Sequence, residues 1–179
     1  KEDAASAAEA MVTASAYDRT GFAFTGTDGS CGAYQADGTL KKDAVVLYVT
    51  EKTKDTVSMD VVTSAKGTTT TATGIQEILN AKKGYDNRPL AVRFIGTITD
   101  PAVTEAGDLL LSGNSDSKRL SCGITLEGIG EDATIRGFGI RAKNISSLEI
   151  RNLAVMLVDS NEGDNYSLQQ SCDHVWVHN

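Results

Sequence analysis

The sequence predicts an all-β chain whose strands stack as a parallel β-helix, with one short capping helix near the N-terminal end. Composition points there first: 17 glycines, 2 prolines and 6% aromatic residues in 179 positions, with abundant Ser, Thr, Asn and Asp, describe many short strands joined by turns. A pattern of apolar, polar, apolar, polar, small then recurs as Ile124-Thr-Leu126-Glu-Gly, Leu148-Glu-Ile150-Arg-Asn and Val175-Trp-Val177-His-Asn, spaced by 24 and then 27 residues. A unit of that length cannot bury its inward residues alone, so copies stack into a solenoid. Finally, no Asn-Gly or Asp-Gly hairpin turn lies between these strands. An antiparallel sandwich with evenly spaced strands is the alternative.

Residues 1–16 predict a short helix or an ordered tail, and residues 1–40 form an extension ahead of a solenoid domain at 41–179. Residues 45–49 and 57–62 alternate apolar and polar side chains and predict a strand pair. The Thr-rich stretch 68–73 predicts a linker into a helix over 74–83, where Ile75, Ile78 and Leu79 share one face, Thr73 can cap and Gly84 can stop the helix. That helix is expected to cover the open apolar end of the stack. After Pro89 the text is strands and polar turns with no second helix: LAVRFIGTI, DLLLSG, GITLEGIG, TIRGFGIRAK, LEIRNLAVMLV, SLQQ and VWVHN.

A net charge of −7 without a Lys/Arg cluster argues against nucleic-acid binding. No apolar run approaches the roughly 18 residues of a membrane span. Cys31, Cys122 and Cys172 are too widely spaced for a Cys-x-x-Cys knuckle, and spacing alone leaves open whether Cys31 pairs with Cys122 or Cys172. An acidic protein acting on a polyanion needs a cation between the two.

Gly128-Ile-Gly130-Glu-Asp-Ala133 has the form of a dinucleotide fingerprint, but the following TIRGFGIRAK alternates like a strand, and Glu131 and Asp132 would repel phosphate. A tight turn between coils is the better reading. Asp159-Ser-Asn-Glu162-Gly-Asp164-Asn is an oxygen-rich loop of the kind calcium prefers, without EF-hand spacing; a solvated turn is its bland alternative. His174 and His178 lie four apart on a strand and share a face, and Trp176 between Val175 and Val177 suits either a sugar platform or packing. Asn144-Ile-Ser and Asn165-Tyr-Ser match glycosylation sequons.

From residue 74 to 179, the run GITLEGIGEDATIRGFGIRAKNISSLEIRNLAVMLVDSNEGDNYSLQQSCDHVWVHN, with its I-R-N-L segment, E-G-D loop and V-W-V-H-N strand, resembles the first half of polysaccharide lyase family 1 pectate lyases. The resemblance implies a right-handed parallel β-helix, secretion, and calcium-dependent β-elimination of polygalacturonate, the metal acidifying the C5 proton of the uronate. By motif position Asp164, with Glu162 beside it, is the calcium ligand this segment supplies. The family's remaining carboxylates and catalytic arginine lie in later coils, so no catalytic base is assigned here. Arg136, Arg141 and Arg151 are expected at turn or outward positions. A companion polypeptide carrying the later coils is expected. Pectin lyase, which dispenses with calcium and with the acidic loop, and a non-catalytic carbohydrate-binding module are the alternatives.

Overall fold

The computed structural model describes Arg19 and residues 21–160 and 162–179; the reading made for residues 1–16 lies outside these. A single 3-10 turn at Phe22–Phe24 precedes β1 (Val45–Val49), β2 (Ser58–Val62), β3 (Thr69–Thr73), helix α1 (Ile75–Ala81), β4 (Leu90–Ile98) and β5 (Leu109–Ser112). There follow β6 (Ile124–Arg136), β7 (Ile140–Lys143), β8 (Ser146–Arg151), β9 (Ala154–Met156), β10 (Tyr166–Gln169) and β11 (Asp173–His178).

The larger sheet runs β1-β4-β6-β8-β11, with β9 joined to the far end of β6, and a second sheet runs β10-β7-β5. Every pairing in both is parallel, which overturns the antiparallel sandwich. From β4 onward the chain passes back and forth between the two sheets, with β8 and β9 following each other in the larger one, so each parallel neighbour is reached by a crossover.

The recurring sequence pattern is the strand register itself. Ile124 pairs with Leu148 and Leu148 with Val175; Leu126 pairs with Ile150 and Ile150 with Val177. The rows extend back through Leu90 and Val92 of β4 to Val45 and Leu47 of β1. In a parallel sheet without register slip, like stacks on like, so the aliphatic rows face inward together. Apart from Val177 at the end of its row, which is exposed, they form one core with Leu109, Leu111 and Ile140 of the second sheet and with the apolar face of α1.

Gly128–Ala133 is no dinucleotide turn. β6 runs straight through it, Ile129 still pairing with Ile95 and pairing resuming at Thr134 opposite Thr97. Residues 130–133 bulge out opposite Gly96, and the Asn152 amide pins the bulge by donating to the carbonyls of Gly128 (2.8 Å) and Gly130 (3.0 Å).

The N-terminal third departs from expectation. Residues 45–49 and 57–62 do not pair with each other: β1 joins the large sheet, and β2 forms an antiparallel hairpin with the Thr-rich stretch expected to be a linker. β-Branched threonines suit a pleated strand, and a turn closed by Gly67 N–H donating to the Ser64 carbonyl (3.0 Å) brings β3 back. The helix is 75–81 rather than 74–83. Its N-cap is Gly74, without a side-chain cap, because Thr73 is taken by the hairpin; Lys82 is the C-cap, so Gly84 does not end it.

Helix α1 buries Ile75, Ile78 and Leu79 and meets the edge strand β5. Gln76, 1% exposed, supplies the polar half of that contact. Its Oε1 accepts from Leu110 N–H (2.8 Å) and its Nε2 donates to the Leu110 carbonyl (3.0 Å), replacing one residue of a missing neighbouring strand. Just past the helix the buried Lys82 ammonium donates to Asp86 Oδ1 (2.9 Å). Burial would raise the Asp86 carboxyl, but Arg88 and Lys82 outweigh it and hold it below the usual range.

Candidate functional site

Two groups of polar side chains stand out, one under the N-terminal segment and one around the acidic loop. The outward rows of the large sheet place Tyr48, Arg93, Glu127, Arg151 and His178 in consecutive register, and beside them Ala91, Thr125, Glu149 and Trp176. In-register stacking thus alternates cation and anion along one row, which is the favourable order for directly opposed residues.

This face is covered. Cys31 to Lys41 folds back on itself and lies over it: Ala33 N–H donates to Thr125 Oγ1 (2.9 Å), Gly32 N–H to Ser147 Oγ (3.0 Å), and Tyr34 Oη to Glu127 Oε1 (2.6 Å). The expectation that Arg151 simply faces outward therefore needs correction: it points away from the sheet's core side and is nonetheless buried, 4.2 Å from the Tyr34 ring centroid.

Glu127 is the hub. Oε1 accepts from Arg93 Nε (2.8 Å) as well as from Tyr34, and Oε2 accepts from Arg151 Nε (2.9 Å) and Nη2 (2.7 Å). Arg93 also donates to Tyr48 Oη (2.7 Å), and Glu149 receives Thr125 and lies 3.1 Å from His178 Nε2. Burial alone would lower Arg93, but Tyr34 and Glu127 hold it above its ordinary value. Tyr34 is raised by burial and then by the Glu127 charge, so it remains a neutral donor. Arg19, 3.7 Å from Glu149, is buried with its guanidinium nitrogens unpaired among the described residues, but the bonds around Glu127 are complete and covered, and a network of that kind orders a structure rather than receiving a substrate.

Trp176 stacks on His178 with centroids 3.5 Å apart and meets Phe24 edge-on at 5.0 Å. The two histidines take separate partners. His174 Nδ1 lies 3.0 Å from Asp173 Oδ1 and its Nε2 3.1 Å from the Thr25 carbonyl, strapping the N-terminal segment to β11. His174 is raised, chiefly by Asp173; Asp173 is held down to about 2 because bonds from Ser146, His174 and Arg119 outweigh its burial. A shallow open groove beside this strap is lined by Phe22, Leu168, Cys172 and Val175. All three cysteines are free thiols; burial and the Glu149 charge push Cys31 up to about 12.

The acidic loop joins β9 to β10 on the side of the second sheet. Glu162 and Asp164 are exposed. Glu162 Oε1 lies 3.6 Å from Arg141 Nη1, and Oε2 accepts from Gln169 Nε2 (3.3 Å). Arg141, outward on the central strand β7, also lies 3.6 Å from Asp108 Oδ2 and donates from Nη2 to the Glu105 carbonyl (2.8 Å). The Asp164 backbone carbonyl closes over Gly139, where any side chain would collide with it and with Asp108. Arg136 is exposed at the end of β6.

Calcium needs six to eight oxygen ligands. Here Glu162 already holds a guanidinium, and among the described residues no group of three or more His, Cys, Asp or Glu is arranged to hold a metal. Among the described residues Glu162 and Asp164 are therefore not part of an assembled metal site. Of the sequons, Asn144 is buried and donates to Gln170 Oε1 (3.0 Å), whereas Asn165 is exposed. No helix among the described residues is long and apolar enough to cross a membrane.

Sequence reasoning missed the Glu127 network and the Arg141–Asp108 pairing. The recurring pattern carried the first, since Glu127, Arg151 and His178 occupy one position of the repeat. Compared with known proteins, the chain matches no protein-family model, no curated protein and no solved structure.

Proposed function

We propose that the chain is the N-terminal part of a secreted, calcium-dependent pectate lyase that cleaves polygalacturonate by β-elimination, wound as a right-handed parallel β-helix whose catalytic arginine lies in later coils. The observation that carries this reading is the in-register parallel stacking of the three recurring strands, with the E-G-D loop entering the second sheet between the last two. The alternation of the chain between two parallel sheets supports the solenoid, because each turn then adds one rung to both. The exposed carboxylates of Glu162 and Asp164 support a hard cation at that loop, with further ligands from outside the described residues. Arg136, Arg141 and Arg151 carry no part of the chemistry in this reading.

A non-catalytic carbohydrate-binding module is the second reading, favoured by the incompleteness of the cation ligand set among the described residues. The two separate on one assay: ultraviolet detection of unsaturated product from polygalacturonate, with calcium and with chelator, alongside the intact mass of the sample. Product that disappears with chelator is expected once the later coils are present as a continuation or companion chain. Binding of the polymer without product in that complete form overturns the lyase reading in favour of the module.

A further inference from the structure

We propose that residues 21–26 are a hinged lid on β11, the last strand of the larger sheet, latched by His174 and set close to its opening point by the unpaired buried charge of Arg19. The lid is the single 3-10 turn Phe22–Phe24, flanked by Gly21 (φ +93°) and Gly26 (φ +74°). Both glycines sit in the left-handed region with nothing within 4 Å of where a side chain would begin, so the chain can swivel at either one. The turn between them has one buried and one bare side. Phe24 is 8% exposed and meets Trp176 edge-on, whereas Phe22 is 98% exposed at the mouth of the groove lined by Leu168, Cys172 and Val175.

The lid is lightly held. Its backbone bonds are internal, from Phe24 N–H to the Gly21 carbonyl (3.0 Å) and from Thr25 N–H to the Phe22 carbonyl (3.3 Å). Toward β11 it offers the Phe24 ring and the Thr25 carbonyl, 3.1 Å from His174 Nε2. His174 is faced in turn by Asp173, which Arg119 pairs from the other side. Residues 32–34, by contrast, are fixed to the sheet by three hydrogen bonds of their own. Arg19, two residues before the first hinge, opposes closure. Its side chain is 4% exposed, 3.7 Å from Glu149, with the guanidinium carbon 5.9 Å from the Phe24 ring centroid and 5.4 Å from that of Trp176. Those groups attract it, yet none of its three guanidinium nitrogens has an acceptor among the described residues. An ion buried without hydrogen bonds loses its hydration uncompensated. Lifting the lid returns water to Arg19 and costs the contact of Phe24 with Trp176. This inference does not depend on the lyase reading.

The test is amide hydrogen exchange of residues 22–27 in the 179-residue chain, with residues 31–41 as the internal reference. In the parent the lid is expected to open independently, its amides being about tenfold or more less protected than the reference. Arg19→Met, an unbranched apolar side chain that leaves no stranded charge, is expected to slow lid exchange about tenfold. His174→Asn suits the left-handed φ of 51° at that position but is too short to reach Thr25, and is expected to speed lid exchange severalfold. Unchanged exchange in residues 31–41 shows that both variants fold. Faster lid exchange in Arg19→Met would mean that the charge holds the lid shut, and overturns its role as the opposing load. No change in His174→Asn removes the latch, and equal protection of lid and reference in the parent overturns the lid altogether.

Discussion

Replacing Glu127 with glutamine removes one charge from the centre of the covered network. Its two carboxylate oxygens accept four bonds, from Tyr34 (2.6 Å), Arg93 (2.8 Å) and Arg151 (2.9 and 2.7 Å), at 1% exposure. A glutamine turns one acceptor into a donor aimed at a guanidinium, and leaves two buried arginines with Glu149 as their remaining close carboxylate, 3.5 Å from Arg151. Breaking a buried pair from one side costs about 3–5 kcal/mol, a large share of the roughly 5–15 kcal/mol that holds a domain together. With a urea slope of about 2 kcal/mol per molar, the unfolding midpoint falls by about 2 M. Replacing the set by apolar residues of similar size, as Arg93→Met/Glu127→Leu/Arg151→Met, is expected to recover most of that loss, since the whole network is then gone and no charge is stranded. A midpoint within about 0.3 M of the parent for Glu127→Gln would refute the assignment of Glu127 as the hub of the network.

Two further outcomes are expected. Gln76→Leu keeps the volume but strands Leu110 N–H and C=O at the edge of β5, costing about 1–3 kcal/mol by thermal unfolding; an unchanged midpoint would show that water satisfies that edge. His174 has a raised folded pKa, so the stabilisation from its charged form is fully present below its ordinary value of 6.5 and is lost as pH rises through the higher folded value. Amide exchange in residues 21–34 should accordingly quicken on going from pH 6 to pH 8 beyond the intrinsic rate. His174→Gln should abolish the extra pH dependence, and a parent without it would remove His174 as the strap.

The parallel pairing was legible because the repeat carries it: Ile124, Leu148 and Val175 occupy equal places in a pattern of period two, and that pattern is the register. Helix α1 was legible from the spacing of Ile75, Ile78 and Leu79. The hairpin was not, since a run of threonines has no apolar alternation and its strand character comes from the pairing with β2. The Glu127 network was hidden for a related reason. Charged residues at outward positions look solvated in any period-two strand, and what buries them is a Gly-rich segment, 31–41, that has no period to read. Arg141 and Glu162 are 21 positions apart, and only the side-by-side placement of β7 and the loop into β10 brings them together.

The unequal spacing of the recurring strands has an evolutionary consequence. Leu148 follows Ile124 by 24 residues and Val175 follows Leu148 by 27, yet both pairs sit in register. The connection between β8 and β11 thus absorbs three more residues than that between β6 and β8 without disturbing the pairing. Insertions in such a chain accumulate at the corners, and the loop carrying Glu162 and Asp164 lies within the longer interval. New ligand-binding loops can be grown and reshaped there while the stacked rows that hold them stay the same, so chemistry and scaffold are free to evolve at different rates.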